Sequence, residues 1–114
     1  MYVINHILDG DDIYYLPVPI TGRVVAGYTC NNEQAIDAET TVTIAGGSAM
    51  TTAIGVVTIA NLTAEGIMDS LVLDSTTLGK VEVGPTLPIK VTLAGGSTNV
   101  EVALTLVIDE YHAA

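Results

Sequence analysis

Apolar and polar residues alternate over most of this chain. The pattern is clearest in a phrase that occurs twice, Val42-Thr43-Ile44-Ala45-Gly46-Gly47-Ser48 and Val91-Thr92-Leu93-Ala94-Gly95-Gly96-Ser97. In each copy the aliphatic residues share one face and threonine takes the other, the period of a half-buried strand. Gly-Gly then accepts positive φ at little cost, so the chain can reverse. An apolar segment follows each turn, Ile54 to Ala60 and Val100 to Asp109. The pattern predicts two similar β-hairpins and suggests two related halves.

The remaining segments follow the same logic. Tyr2 to Leu8 reads as a first strand or an extended arm. Asp9-Gly10-Asp11-Asp12 is a turn, and Asp-Gly is a hairpin signal. Ile13 to Leu16 runs into Pro17 and Pro19, which cannot donate to a ladder, so this segment is an edge strand or leaves the sheet here. Arg23 to Cys30 is a strand whose alternate residues Val24, Ala26, Tyr28 and Cys30 share a face. Asn31 to Glu39 is a polar loop. Thr40 to Ala45 and Pro88 to Ala94 are the repeated strands, with Val42, Ile44, Ile89, Val91 and Leu93 inward. Asn61 to Ser75 reads as a long connection between sheets, with at most one helical turn opening at Thr63-Ala64-Glu65-Gly66; Gly66 and the β-branched residues oppose more helix. Leu78 to Val83 is a short strand. In the last strand Val102, Leu104, Leu106 and Ile108 line one face, and Glu101, Ala103, Thr105, Val107 and Asp109 the other. Residues 110–114 form a loose tail. About eight strands and two long crossings describe an all-β, single-domain β-sandwich of jelly-roll, Greek-key type.

Composition sharpens this picture. The chain has 114 residues, enough for one core, and no Phe or Trp; its aromatics are five Tyr. The net charge is −10 with three basic residues, Arg23, Lys80 and Lys90. Neutralising phosphates takes clustered Lys or Arg, so a nucleic-acid partner and an anionic membrane are both excluded. The acidity serves solubility, or attraction to a basic surface or cations. Cys30 stands alone, forms no intrachain disulfide, and reads as a small hydrophobe on a strand. No basic-then-apolar leader opens the sequence and no apolar run reaches a membrane span of about 18 residues, so synthesis in the cytoplasm is expected.

The chemistry-bearing residues do not assemble into a motif. His6 and His112 lack metal-ligand spacing with each other or with Cys30. There is no Gly-x-Ser-x-Gly elbow, and neither Gly-Gly-Ser ends as a phosphate loop does. Asp9, Asp11 and Asp12 have the ligand type for calcium but not the spacing of an EF-hand, so they read as a turn. A sugar-binding site would need an aromatic platform from Tyr2, Tyr14, Tyr15, Tyr28 or Tyr111. Tyr14-Tyr15 is the best of these, one facing in and one out. No enzyme, metal or cofactor is expected.

The order Leu-Pro-Val-Pro-Ile-Thr-Gly-Arg-Val-Val, a polar loop, Thr-Val-Thr-Ile-Ala-Gly-Gly, Gly-Val-Val-Thr-Ile-Ala, a long connection, Pro-Ile-Lys-Val-Thr-Leu-Ala-Gly-Gly-Ser-Thr and a final aliphatic strand resembles the small β-sandwich capsid decoration (cement) proteins of tailed bacteriophages. The resemblance runs from about Tyr15 to Ile108 and is one of strand and turn order. It implies a virion structural protein that binds the major capsid protein on the outside of the head, as a homotrimer. Candidate interface residues are Tyr2 and Ile4 of the arm, Tyr14 and Tyr15, and Ala103 and Val107 on the outer face of the last strand. The alternative is a carbohydrate-binding or adhesion module of a head fibre or tail, using Tyr14-Tyr15 and the acidic turn.

Overall fold

The alternating segments become strands, and no helix forms among the described residues. The structure is a computed structural model that describes residues 1–32, 36–77, 80–95 and 101–110. The strands are β1 (Tyr2–Asp9), β2 (Asp12–Leu16), β3 (Gly22–Asn31), β4 (Thr40–Gly46), β5 (Thr52–Ile59), β6 (Met68–Ser70), β7 (Val72–Leu73), β8 (Glu82–Val83), β9 (Ile89–Ala94) and β10 (Glu101–Glu110). They form two antiparallel sheets. Sheet A has the order β1-β10-β3-β6, with β8 also on β3, and sheet B the order β2-β9-β4-β5-β7. Among these strands, every connection except β4–β5 passes from one sheet to the other. That interleaving makes the sandwich a jelly roll.

The core is aliphatic and lies between the sheets. Val42, Ile44, Ile89, Val91 and Leu93 of sheet B are buried, as are Val102, Leu104, Leu106 and Ile108 of β10. The inward faces expected for the repeated strands and for the last strand are therefore those observed. Three buried apolar residues come from outside the strands, Val18, Ile36 and Val81, the last just before β8. Val18 continues the inward alternation of Leu16 past Pro17, and Ile36, in the segment read as a polar loop, is fully buried. Main-chain hydrogen bonds hold Ile36 there: its N–H donates to the Thr63 carbonyl (3.0 Å), and Leu62 N–H donates to its own carbonyl (2.8 Å).

Four expectations change. The first Gly-Gly turn closes a true hairpin, β4 with β5. The second does not: β9 lies between β2 and β4, and β10 between β1 and β3, so neither has a free edge for the other. Gly96 and Ser97 of that turn lie outside the described residues. The two copies of the phrase instead pair with each other, Val42 with Leu93, Thr43 with Thr92 and Ile44 with Val91. Likewise Asp9-Gly10-Asp11-Asp12 turns the chain from sheet A into sheet B, so β1 and β2 are not a hairpin.

The third change is in β3. Val24 pairs with Ile108 and Ala26 with Val107, which leaves Val25 as the extra residue of a bulge. Val24 points inward; beyond the bulge Gly27, Thr29 and Asn31 do, and Ala26, Tyr28 and Cys30 point outward. The last is the Asn61–Ser75 connection. It holds turns, with Gly66 at φ 84°, and then β6 and β7 in place of a helical turn. It does cross between sheets as expected, since β6 pairs with β3 and β7 with β5. Of the short strand read over Leu78 to Val83, β8 keeps Glu82 and Val83, and Leu78 lies outside the described residues. The tail from Tyr111 onward also lies outside them, while Glu110 belongs to β10.

Leu104 is 1% exposed at the centre of β10. Leu104→Ala should cost about 2–5 kcal/mol, read as a fall in the urea midpoint. Thr29 is equally buried, and among the described residues its hydroxyl has no hydrogen-bond partner. Thr29→Val should therefore raise the same midpoint, because it removes a desolvation cost of about 1–3 kcal/mol.

Candidate functional site

The outer face of sheet A is the surface on which the most exposed apolar residues converge. Its register stacks side chains into three rows. Val3, Val107 and Ala26 form the first; Asn5, Thr105, Tyr28 and Ser70 the second; Ile7, Ala103, Cys30 and Met68 the third. The outer rows are apolar and the middle one is polar. Within the middle row the Thr105 hydroxyl donates to Asn5 Oδ1 at 2.8 Å. Val3 (49%), Ile7 (48%) and Met68 (63%) are well exposed. A shallow depression of about 410 Å³ lies over β1 and β10, lined by Asn5, His6, Ile7, Ala103, Leu104 and Thr105.

The six candidate interface residues fall on three different surfaces. Ala103 and Val107 lie on this outer face, half-buried between their neighbours. Tyr2, Ile4 and Tyr14 share the registers of the inward faces, at the open side of the sandwich where β1 and β2 are the edges. Tyr15 stands apart on the outer face of sheet B, 57% exposed and paired with Lys90. Val3 and Ile7, rather than Tyr2 and Ile4, are the outward residues of β1. Leu8 is fully buried, so the even positions of β1 point inward and the odd ones out. That parity was available from the sequence once one residue of the strand was placed.

Tyr14 is committed to the fold. Its hydroxyl donates to the main-chain carbonyls of Asp9 (2.9 Å) and Gly10 (2.7 Å), fastening the turn between the sheets. Its ring meets His6 edge-on, with centroids 5.9 Å apart. Tyr14 and the turn are thus engaged in the fold, whereas among the described tyrosines Tyr15 is the most exposed. The acids of the turn are engaged with backbone: Asp12 Oδ1 accepts from Ile13 N–H at 2.7 Å and Asp11 Oδ2 from Gly95 N–H at 3.3 Å. No group of three His, Cys, Asp or Glu is gathered for a metal among the described residues. His112 and Tyr111 lie outside those residues. Cys30 is half-buried on the outer face of sheet A.

Charge collects at the ends of sheet A. Asp9 sits opposite Glu101 in the ladder at one end. At the other, Arg23 Nη2 approaches Asp109 Oδ2 at 3.6 Å, a pair open to solvent and of little energetic weight. The three rows between the ends carry no charged side chain.

Burial, with the nearby carboxylates of Asp12, Asp9 and Asp11, raises the Tyr14 pKa above its ordinary 10.0, and the hydrogen bond to Asp9 opposes this. A raised folded-state value means stability that is intact below pH 10 and is lost as pH climbs through the folded pKa. Ultraviolet titration of wild type against Tyr14→Phe should isolate a phenol that ionises later than a free tyrosine. Tyr14→Phe should lower stability at neutral pH by about 1 kcal/mol for the lost hydrogen bonding and flatten the alkaline decline.

Comparison of the chain with models of known families, with curated proteins and with solved structures yields no match.

Proposed function

We propose that this chain is a non-enzymatic virion structural protein that binds the outer surface of a phage capsid, decorating and stabilising it through contact with the major capsid protein. The observation that carries this reading is the outer face of sheet A. It offers two apolar rows with no charged side chain, on a strand framework whose inner side is the aliphatic core. Apolar side chains gathered in rows on one exposed face, here on either side of a polar row, suit an interaction site. Such a site suits a partner that is itself broad and flat, and the pattern of strand and turn segments along the sequence resembles that of decoration proteins. A second reading has one observation in its favour, the exposed ring of Tyr15 beside Lys90. It makes the chain a carbohydrate-binding module of a fibre or tail.

Co-sedimentation with capsids assembled from the major capsid protein of the same virus tests the first reading. Wild type should pellet saturably with the capsids. Val107→Glu should weaken the association at least about tenfold, since a carboxylate would be buried against an apolar surface. No co-sedimentation sinks the proposal. On a glycan array, reproducible binding that Tyr15→Ala removes would put the carbohydrate reading in its place.

A further inference from the structure

We propose that β1 is a self-pairing edge: two copies of the chain join antiparallel along Tyr2–Asp9 about a two-fold axis through Asn5, making sheet A continuous across a dimer. The inference is independent of the capsid reading. It starts from how the edges of the two sheets differ. An edge strand presents a row of unpaired N–H and C=O groups, and natural proteins blunt such edges with short strands, proline, lysine or bulges. Among the described residues, β6, β7 and β8 have 3, 2 and 2 residues. Edge strand β2 has 5 and runs into Pro17 and Pro19. β1 has 8, with no proline or lysine, and its ladder with β10 has no register shift. Among the described residues it is the long, regular edge with no strand on its outer side, and the partner such an edge fits is another strand.

The side chains select which strand. A two-fold axis perpendicular to a sheet keeps outward residues on one side, so residues paired across it have position numbers that sum to an even value. Centring the axis on Asn5 places Val3 of one copy opposite Ile7 of the other, and Asn5 opposite Asn5. The polar middle row then runs through the axis, and each apolar row of one copy continues into an apolar row of the second. Moving the axis by one residue either way sets Asn5 against Val3 or against Ile7 and breaks all three rows. Asn5 accepts from Thr105 through Oδ1, and an amide also carries two N–H donors for which the second Asn5 would supply an acceptor. A polar residue at such a position fixes register.

Charge also favours this contact. Two chains of net charge −10 repel wherever their acids meet, but β1 carries a single acid, Asp9, at its end. The contact is isologous and closes at two copies. It makes the unit in solution a dimer, where the resemblance to decoration proteins implies a trimer.

Sedimentation equilibrium on the full chain should show a concentration-dependent dimer, strengthened by added salt as the acids are screened. Ile7→Lys, an edge lysine facing the second copy's Val3, should be monomeric at concentrations where wild type is dimeric, with an unchanged β circular dichroism spectrum. Register is read separately in a Cys30→Ser background. Asn5→Cys should oxidise to a covalent dimer, because directly opposed Cα atoms lie about 4.5–5.5 Å apart. Val3→Cys should not, since the two Val3 positions would be four residues out of line, about 13 Å. A protein that is monomeric throughout, a trimer, a dimer indifferent to Ile7→Lys, or Val3→Cys cross-linking as readily as Asn5→Cys overturns the proposal. Should Ile7→Lys fail to fold, the two cysteine variants still decide it.

Discussion

The sandwich depends on one close crossing. Between Met68 and Leu73 the chain leaves sheet A and enters sheet B, and Leu71 is the residue at the change. Its N–H donates to the Gly27 carbonyl at 2.8 Å. A Cβ built on Gly27 would lie 3.1 Å from the Leu71 Cβ, and one on Gly55 only 2.5 Å from the Val72 carbonyl oxygen and 2.9 Å from a Leu71 methyl. Glycine in both sheets is thus what lets the crossing strand sit this near. A side chain at Gly55 would meet backbone, which cannot step aside as a flexible side chain can.

Closing that side fixes what happens on the other. With β6 and β7 drawn into a shared strand, the two sheets are joined at one margin and part at the other, where β1 and β2 are the edges. There Ile4 and Tyr14 pack against the core, partly buried, and the Tyr14 ring meets His6. Tyr14 ties the two edges together through the turn. The outer faces, by contrast, differ in chemistry. Sheet A turns its rows of Val, Ala, Ile and Met outward, and sheet B turns out threonines, including Thr43 and Thr58, with Tyr15 and Lys90. The two faces differ enough that a flat partner would distinguish them.

The fold was legible wherever the period-two pattern was unbroken. β4, β9 and β10 are read correctly to the residue face, because Val42, Ile44, Val91, Leu104 and their neighbours alternate without interruption. The failures have local physical causes. The bulge at Val25 shifts parity within β3, and alternation alone cannot report an extra residue. Ile36 is buried by main-chain bonds to Leu62 and Thr63, contacts between segments far apart in sequence. The second Gly-Gly-Ser was taken for a hairpin by likeness to the first, yet which sheet a strand joins is set by who already occupies the neighbouring edges. The candidate surface was half legible. Ala103 and Val107 were found from the weak polarity of β10's outer face. Val3 and Ile7 were missed because an arm with no placed residue has no defined inside.

The strand order carries a consequence for how the chain is made. β9 stands between β2 and β4, and β10 between β1 and β3, so the interior position of each sheet is filled by a strand that follows all the others in the chain. Among the described residues β1 and β2 pair with no other strands than these two. As the polypeptide emerges from the ribosome, it can form the β4–β5 hairpin and the short contacts of β3, but the first two strands wait for the last two. Loop closure across nearly the whole length is needed before either sheet is complete, which places such a topology among slow folders. Completion of both sheets is therefore deferred until translation has delivered β9 and β10.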